Sequence, residues 1–563
     1  MSVTSETKVL VVGLDGATFD VFTPFMRRGL LPNLSRLIEE GVSGLLRSVV
    51  PPVSGPAWVS FMTGKNPGRH GIYDFYKFAP GRKGKRVISF RDIHAKSLWE
   101  VLTQHGKKLG VINVPITYPP YPVDGFMLTG MLTPPDAGER QCHPPSLYGE
   151  LTDRFGPYVS DVWWTNYRAS EKPKILRDMI ACMDRRQEIS LQLMKDKPWD
   201  FFMTTITETD RLQHAFGNYL FGDPEADREP SSNEVRRLLD EFFLRLDTHL
   251  GKLREAAGPD TTLAIISDHG FGRTADFFLT NRWLASRGFL TIKEGTYLKN
   301  LLKESMQSYP VMRKARSVLD RLGLRYQPDM QTDEASAGCN AESETHLMQC
   351  VDWSKTVAFM DLDDQQGIYV NLRGREPHGS VSPDQYDNVR DQVINALREL
   401  VHPRTGKPVL TYAKRREEVY EGPFVEEAPD IVLCFDDFET YGVGVLGLGF
   451  LQRGQWAKPK WPWFSAHHRM EGVLVAHGTH VKRGIALEGH LIDLFPTILY
   501  AMDVPIPDDL DGKILDGMFC DAYRAQRSVR WSRAEDSSRI QQGEMAPEYT
   551  ESIMASLKGL GYF

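Results

Sequence analysis

Three apolar stretches of this chain each end in an aspartate, and this recurrence limits the fold more than any other feature of the sequence. The first runs through Val9 to Val12 and ends in Asp15, a second ends in Asp210, and a third ends in Asp268 and His269. Continuous apolar runs rich in β-branched residues are typical of strands buried in a parallel sheet. Because parallel strands bring their carboxyl ends to one edge of a sheet, we expect these side chains to meet there as a hard-cation or zinc site.

The sequence between these stretches predicts helices that would flank such a sheet. Helical patterns occupy residues 33–40, 97–105, 173–194 and 234–254. The alternation of strands and helices predicts an α/β fold with a central, mostly parallel sheet. A dinucleotide-binding turn would need a G-x-G-x-x-G pattern after the first strand, and Gly13-Leu-Asp-Gly does not supply it.

The stretch from residue 51 to residue 72 is predicted to place a hydroxyl group at the start of a helix. Ser54 precedes a short helical segment over 57–62, which Gly64 would end. A serine in this position meets backbone N–H groups and the positive end of the helix dipole. The position suits an N-cap, which is the more frequent role, or a nucleophile that attacks a phosphate. The aspartates elsewhere in the chain favour the nucleophile.

Two histidines are candidate partners of these aspartates. His214 follows Asp210 by four residues. If the chain is helical there, both side chains share one face and can reach one ion, although this spacing alone is common by chance. The late stretch 465–472 contains the adjacent pair His467 and His468. We take His468 as the ligand and His467 as its neighbour.

The length of 563 residues predicts more than one structural unit. Four segments are predicted, which are a first part of the catalytic core (1–285), an inserted α+β cap (286–460), a second part of the core (461–520) and a polar tail (521–563). The cap would cover the active site and help to select the substrate. Within it, 331–343 is polar and predicted to be mobile, and the glycine-rich stretch 442–449 favours an apolar loop over a phosphate cradle. A short amphipathic helix is predicted at 549–557.

The composition argues against several classes of protein. The net charge of −7 argues against a nucleic-acid or anionic-membrane partner. The amino terminus leads directly into the first strand with no signal-peptide pattern, and no apolar run approaches the length of a membrane span. The six cysteines contain no CxxC pair. We therefore predict a cytoplasmic protein with reduced cysteines and without a cysteine-ligated zinc site.

In their order, these motifs resemble the alkaline phosphatase superfamily, and the nearest branch is that of the type I phosphodiesterases and nucleotide pyrophosphatases. The resemblance covers about residues 8–285 and 465–515 and leaves the middle insertion uncharacterised. Each motif is weak alone, whereas the ordered set is highly specific. The motifs are Asp15 after a strand, Pro-x-x-Ser54-x-Pro, Thr63-Gly-x-x-Pro-x-x-His70-Gly-Ile72, Asp210-x-x-x-His214, Asp268-His269-Gly270 and a late His468.

The resemblance implies an alkaline-phosphatase-like sandwich fold and two divalent metal ions. Zinc is usual in this branch and fits a mixture of imidazole and carboxylate ligands best, and manganese occurs in some relatives. One ion would be held by Asp15, Asp268, His269 and the Ser54 oxygen, and the other by Asp210, His214 and His468. Ser54 would attack phosphorus to give a phosphoseryl enzyme, which water then hydrolyses.

The chain departs from the pattern of this branch in two places. The nucleophile is usually threonine, for which Ser54 is chemically equivalent. An asparagine that contacts the phosphate is expected shortly after the His-Gly-Ile motif, where this chain has Phe75. Tyr73 and Lys77 are candidate replacements for that contact, and an ordinary loop role is the alternative for both. Sulfatases need an arginine where Trp58 stands, which argues against hydrolysis of sulfate esters.

Three functions remain open at this point. The leading one is hydrolysis of a phosphodiester or pyrophosphate bond in a small phosphorylated substrate, such as a nucleotide or a sugar nucleotide. The second is a phosphomonoesterase or phosphomutase with the same metals. The third is a catalytically weak binding protein for a phosphorylated partner, against which the complete ligand set argues. The cap sequence contains no pattern that decides between the first two, and the oligomeric state is not indicated.

Overall fold

The structure is a computed structural model and describes part of the chain. The described residues are 7–78, 85–162, 169–274, 276–294, 350–361, 367–403, 406–435, 440–443, 456–457, 466–534 and 553. The predicted mobile segment 331–343, the glycine-rich stretch beyond residue 443 and, apart from residue 553, the predicted helix 549–557 lie outside these residues. Among the described helices, none combines the length and the hydropathy that a membrane span requires.

The predicted helices at 33–40, 97–105, 173–194 and 234–254 are present, with ends that differ by a few residues. Ser97 caps the second of them, because its hydroxyl accepts from Glu100 N–H while the Glu100 carboxylate accepts from Ser97 N–H. The described helices are α1 (Phe19–Arg27), α2 (Pro32–Glu40), α3 (Ser54–Thr63), α4 (Pro67–His70), α5 (Leu98–Gln104), α6 (Ser146–Phe155), α7 (Lys172–Asp196), α8 (Glu208–Leu220), α9 (Ser232–Ala257), α10 (Thr280–Ser286), α11 (Tyr386–Arg398), α12 (Leu494–Ala501) and α13 (Asp521–Gln526).

The strands form one large sheet and several small ones. The described strands are β1 (Val9–Leu14), β2 (Val42–Arg47), β3 (Tyr76–Phe78), β4 (Lys85–Val87), β5 (Leu109–Val114), β6 (Gly125–Thr129), β7 (Cys142–His143), β8 (Phe201–Ile206), β9 (Thr262–Ile266), β10 (Gly270–Arg273), β11 (Asp276–Leu279), β12 (Ala358–Phe359), β13 (Gly367–Val370), β14 (Leu410–Arg415), β15 (Ile431–Phe435), β16 (Thr440–Val443), β17 (Trp456–Ala457), β18 (Ala466–Arg469), β19 (Glu471–His477), β20 (Ile485–Ala486), β21 (Gly489–His490), β22 (Ile506–Pro507) and β23 (Trp531–Ser532).

The large sheet has ten strands in the order β20-β2-β19-β9-β1-β8-β5-β6-β7, with β21 also paired to β2. The pairs among β9, β1, β8, β5 and β6 are all parallel. Among the described strands of this sheet, β19 and β7 alone run against this direction, because β19 pairs antiparallel with β9 and β2, and β7 pairs antiparallel with β6. The predicted central, mostly parallel sheet is therefore confirmed.

Helices cover both faces of this sheet and enclose two apolar cores. Along β1, Val9 and Val11 belong to one core and Leu10, Val12 and Leu14 to the other, because successive side chains of a strand point to opposite faces. The first core contains residues of α3, α5 and α12, and the second contains residues of α1, α2, α6, α7 and α9. The molecule is thus a three-layer sandwich, in agreement with the predicted α/β class.

A smaller sheet lies within the predicted cap. It has four strands in the order β12-β13-β15-β14, all paired antiparallel, and it shares an apolar cluster with α11. That cluster also contains Phe278 and Trp283, which precede the predicted start of the cap. A later segment of the cap contacts α4, where Phe424 N–H donates to the carbonyl of Gly68 at 2.9 Å. The division of the chain at residues 285, 460 and 520 stays a prediction.

Strand β1 passes so close to helix α3 that only glycine fits at one of its positions. A Cβ atom at Gly13 would lie 2.6 Å from Cη2 of Trp58 on α3 and 3.0 Å from Oγ1 of Thr205 on β8. The Trp58 side chain is fully buried. Close packing here sets how α3, which begins at Ser54, lies against the sheet.

We expect Gly13→Ala to destabilise the protein by about 1–3 kcal/mol, because the added methyl group overpacks the contact with Trp58. The measurement is the thermal unfolding midpoint. Gly149→Ala is the matched control, since a Cβ there meets no atom within 4 Å and the residue lies inside helix α6, where alanine is favoured. Equal midpoints for the two variants would contradict the close contact at Gly13.

Candidate active site

The three predicted aspartates lie at the carboxyl edge of three neighbouring strands. Asp15 directly follows β1, and Asp268 follows β9 by two residues. Asp210 was expected at the end of a strand, but β8 ends at Ile206 and Asp210 lies in the first turn of α8. The chain turns helical here once β8 reaches the end of its pairing with β1. All three carboxylates are buried, with at most 1% of each residue exposed.

Ser54 lies beside this edge at the first residue of α3. The N-cap position belongs to Val53, whose side chain cannot cap the helix. Ser54 Oγ instead lies 3.2 Å from Asp15 Oδ1, to which it donates, and 3.2 Å from His269 Nε2. The capping alternative for Ser54 is therefore wrong, and the hydroxyl faces the carboxylates.

The imidazole of His269 presents one nitrogen to these groups. His269 Nδ1 lies 3.0 Å from the carbonyl oxygen of Gly270, and because a carbonyl only accepts, Nδ1 carries the proton. The lone pair of Nε2 then points to the site, 3.6 Å from Asp15 Oδ1 and 3.4 Å from Asp268 Oδ2. A tautomer fixed in this way is typical of histidines that ligate metals.

A second group contains Asp210, His214 and His468. The helical spacing brings His214 Nε2 to 3.5 Å from Asp210 Oδ1, and His468 Nε2 lies 3.3 Å from the same oxygen. The two Nε2 atoms are 3.0 Å apart. His468 reaches the group because β18 pairs antiparallel with β10, which follows Asp268. The neighbouring His467 accepts from His468 N–H through Nδ1 at 2.8 Å.

The donor atoms form two overlapping sets. Asp210, His214 and His468 each offer one atom within 4.8 Å of the others, and so do Asp15, Asp210 and His269. Asp210 thus belongs to both sets, whereas the sequence assigned it to one. Asp268 adjoins the second set through its contact with His269 Nε2. The structure brings all seven predicted side chains together, and their role as metal ligands stays a prediction.

Crowding and burial shift the pKa values of these groups strongly. Burial, reinforced by the charges of Asp268 and Asp210, raises the pKa of Asp15 well above its usual range. Burial also raises the pKa of Asp268 to about 8. The same desolvation lowers the pKa of His214 to about 4 and holds that of His468 well below its usual value. His214 and His468 are therefore neutral and able to act as ligands, and Asp15 and Asp268 resist ionisation unless a cation is near. Asp210 differs, because His214, the hydrogen bond with His468 and the guanidinium of Arg211 outweigh burial and hold its pKa well below the usual range.

The residues present fit a divalent metal. Asp268 Oδ2 is buried and accepts no hydrogen bond within the described part of the chain, a costly arrangement for a carboxylate oxygen. Neutral imidazole nitrogens and carboxylate oxygens are the ligands that zinc takes, and manganese accepts a similar set. The donor set and its unsatisfied oxygen are therefore consistent with zinc or manganese.

Each carboxylate is held by a donor that sequence reasoning missed. Trp58 Nε1–H donates to Asp15 Oδ2 at 3.0 Å, Gly16 N–H donates to Asp268 Oδ1 at 3.1 Å, and Arg211 Nη1–H donates to Asp210 Oδ2 at 2.8 Å. The other oxygen of each carboxylate faces a histidine Nε2. The spacing of Trp58 four residues after Ser54, one helical turn, is a sequence signal that could have identified the first of these donors.

The predicted substrate contacts lie against the cap. Tyr73 Oη donates to the carbonyl of Phe424 at 3.0 Å, and Lys77 Nζ lies 3.0 Å from a carboxylate oxygen of Glu427. Phe75, which stands where an amide was expected, is fully buried. A Cβ atom at Gly55, next to Ser54, would lie 3.4 Å from the Phe75 ring. A contact of Tyr73 or Lys77 with substrate stays a prediction.

Comparison with known proteins places the chain in a family. The family model described as type I phosphodiesterase / nucleotide pyrophosphatase matches residues 9–442, which includes most of the predicted cap and ends before His468. The curated proteins include no sequence that matches this chain.

Several solved structures are similar to this fold. Phosphonoacetate hydrolase from Sinorhizobium meliloti 1021, in complex with phosphonoformate or with phosphonoacetate, matches with a TM-score of 0.51 and 14% identity over 89% of this chain and 96% of that one. Murine ectonucleotide pyrophosphatase / phosphodiesterase 5 in complex with AMP matches with a TM-score of 0.46 and 14% identity, and the match also covers 89% of this chain and 96% of that one. Given the match of the family model over most of its length, the chain belongs to the type I phosphodiesterase / nucleotide pyrophosphatase family, hydrolases of phosphoric esters within the alkaline phosphatase superfamily.

Proposed function

We propose that this protein hydrolyses a phosphodiester or pyrophosphate bond with Ser54 as the nucleophile and two divalent metal ions as cofactors, zinc in the first place and manganese in the second. The observation that carries the proposal is the position of Ser54 Oγ, 3.2 Å from both Asp15 Oδ1 and His269 Nε2 at the start of a helix. A buried hydroxyl in such surroundings is suited to lose its proton and attack.

The residues that would hold the metals are those of the two overlapping donor sets. Asp210, His214 and His468 would hold one ion, and Asp15, Asp268, His269 and the Ser54 oxygen the other, with Asp210 also next to the second set. When bound, divalent cations lower the pKa of the attacking hydroxyl and neutralise charge on the phosphoryl group that is transferred.

The chain's own residues account for the remaining steps. Asp15 Oδ1 accepts the hydrogen bond of Ser54 and orients its oxygen towards phosphorus. A bond forms between Ser54 Oγ and phosphorus as the hydroxyl proton is lost along its hydrogen bond to Asp15 Oδ1, and the bond from phosphorus to the leaving oxygen breaks, so that the leaving group departs and takes up a proton. Ser54 then carries a phosphoryl group that keeps the remaining substituent of the substrate. Water attacks this phosphorus, the bond to Ser54 Oγ breaks and Ser54 regains a proton, which releases a phosphomonoester and restores the hydroxyl. The start of α3 offers backbone N–H groups and the positive end of its dipole to the phosphoryl oxygens.

The proposed substrate is a small phosphorylated compound, such as a nucleotide or a sugar nucleotide. The similar structure of phosphonoacetate hydrolase holds the small anions phosphonoformate and phosphonoacetate. A small substrate is consistent with this site, because Ser54 and the carboxylates beside it are buried.

We expect Ser54→Ala to reduce hydrolysis of a bis-aryl phosphodiester by about three orders of magnitude or more, because no other group replaces the nucleophile. The rate is compared with that for the matching aryl phosphomonoester, in zinc and in manganese. Ser60→Ala is the control, since Ser60 is equally buried on α3 and its Oγ bonds His70 Nε2 at 2.8 Å rather than the site. A Ser54→Ala variant as active as the control would contradict the proposal, and a preference for the monoester would favour a phosphatase.

Metal binding is expected to stabilise the protein more at pH 8 than at pH 6. The pKa of Asp268 is about 8 in the metal-free fold and near 4 when unfolded, so the folded state holds the extra proton and stability falls as pH rises between these values. A divalent cation favours the ionised carboxylate and cancels this loss. The measurement is the thermal unfolding midpoint with chelator and with added zinc or manganese at both pH values.

The Asp268→Asn variant is the control for this pH dependence, since an amide does not titrate. We expect the midpoint of the metal-free variant to fall less between pH 6 and pH 8 than that of the wild type. A wild-type midpoint that added metal does not change at either pH would contradict the proposed metal site.

A further inference from the structure

The residue next to Asp210 joins this carboxylate to a buried acid outside the proposed ligand set. Arg211 Nη1 donates to Asp210 Oδ2 at 2.8 Å, and the same guanidinium donates through Nη2 and Nε to the two oxygens of Asp161 at 2.6 and 3.3 Å. None of the three side chains is more than 1% exposed. These contacts connect α8 to the segment that follows α6.

The two oxygens of Asp210 have different surroundings as a result. Oδ2 is bound to Arg211, whereas Oδ1 lies 3.5 Å from His214 Nε2 and 3.3 Å from His468 Nε2. A guanidinium is planar and presents its donors in a fixed fork, so a second carboxylate at Asp161 fixes the plane of Arg211. The plane of Arg211 in turn fixes the rotation of the Asp210 carboxylate. Asp210 would then bind a metal ion through Oδ1 alone.

We propose that Arg211, anchored by Asp161, is a positioning residue that directs Oδ1 of Asp210 towards His214 and His468 and thereby sets the affinity of that metal position. The inference rests on the proposed function, since it assumes a metal ion at these three side chains. Removal of a residue that hydrogen-bonds to a metal-binding side chain and fixes its orientation typically weakens metal affinity by about 10- to 100-fold.

A second buried ion pair on the same helix supplies the matched control. Arg186 on α7 pairs with Glu208 at the start of α8 and donates to the carbonyl of Ser160 at 2.5 Å. Both side chains are as buried as those of the Arg211 network. The pair joins α8 to the same segment, and in the described part of the chain the contacts of Arg186 include none of the proposed ligands. Loss of Arg186 therefore reports the structural cost of removing such a pair.

The experiment measures metal binding by the full-length wild-type protein and by Arg211→Met, Arg211→Lys, Asp161→Asn and Arg186→Met. Each protein is freed of metal with a chelator and titrated with Zn²⁺ by calorimetry and with Co²⁺ by absorption, which reports the ligand geometry. We expect two metal equivalents in the wild type. In Arg211→Met, one equivalent should weaken about 10- to 100-fold and its Co²⁺ spectrum should change, while the other equivalent keeps its affinity.

The remaining variants separate positioning from structure. Arg211→Lys should recover part of the affinity, because an ammonium keeps the charge but cannot bind both carboxylates with a fixed fork. Arg186→Met should lower the thermal unfolding midpoint and leave both metal affinities unchanged. If Arg211→Met also leaves both affinities and the Co²⁺ spectrum unchanged, Arg211 is only structural and the inference is wrong.

Two further outcomes keep the test decisive. If Arg211→Met does not fold, the nearly isosteric Asp161→Asn replaces it, and one weakened equivalent supports the inference whereas two unchanged equivalents overturn it. A wild-type protein that binds neither Zn²⁺ nor Co²⁺ contradicts the proposed function and the inference together. A wild type with two equivalents and an unaffected Arg211 variant contradicts the inference alone.

Discussion

The burial of three carboxylates beside one another is the constraint on which the rest of the site depends. A single carboxylate removed from water costs several kcal/mol unless it is paired or hydrogen-bonded, and Asp15, Asp210 and Asp268 are all inaccessible. One oxygen of each carboxylate accepts a hydrogen bond from a different donor. The indole of Trp58 donates to Asp15, the guanidinium of Arg211 donates to Asp210, and the backbone N–H of Gly16 donates to Asp268. The second oxygen of each is directed at an imidazole. All three carboxylates are therefore held in the same way, with one oxygen fixed by a donor and the other directed at an imidazole.

The topology of the large sheet makes this crowding unavoidable. Strand β1 lies between β9 and β8, and both pair with it in parallel. The residues that follow the three strands must therefore emerge next to one another at one edge. Two apolar cores fix the strands on either side, so hydrophobic burial opposes the repulsion between the carboxylates. The close contact of Gly13 with Trp58 then brings α3, and Ser54 with it, against the same edge.

The sequence predicted those parts of this arrangement that depend on local pattern. Apolar runs located β1, β8 and β9, and the residues after them identified Asp15, Asp268 and His269, while helical spacing related His214 to Asp210. Several contacts that hold these side chains could not be inferred in this way, because they join distant parts of the chain. Gly16 and Asp268 are 252 positions apart, Asp161 and Arg211 are 50 apart, and Ser54 and His269 are 215 apart. Arg211 lies next to Asp210 in the sequence, but adjacency alone does not indicate that the two side chains bond. The contacts of Tyr73 with the cap span 351 positions and could not be inferred from a loop sequence alone. The sequence also placed Asp210 on a strand, since the apolar pattern does not mark where the strand gives way to a helix.

The way in which the donors are fixed indicates what a cation would contribute. The tautomer of His269 is set by the carbonyl of Gly270, and one oxygen of each carboxylate is held by a donor of the chain. The raised pKa of Asp268 shows in turn that the same geometry disfavours the ionised carboxylate. A divalent cation would supply the positive charge that favours the ionised form of this carboxylate. In a site fixed in this way, little reorganisation would be needed when charge develops on a transferred phosphoryl group, which is the condition under which electrostatic catalysis is most effective.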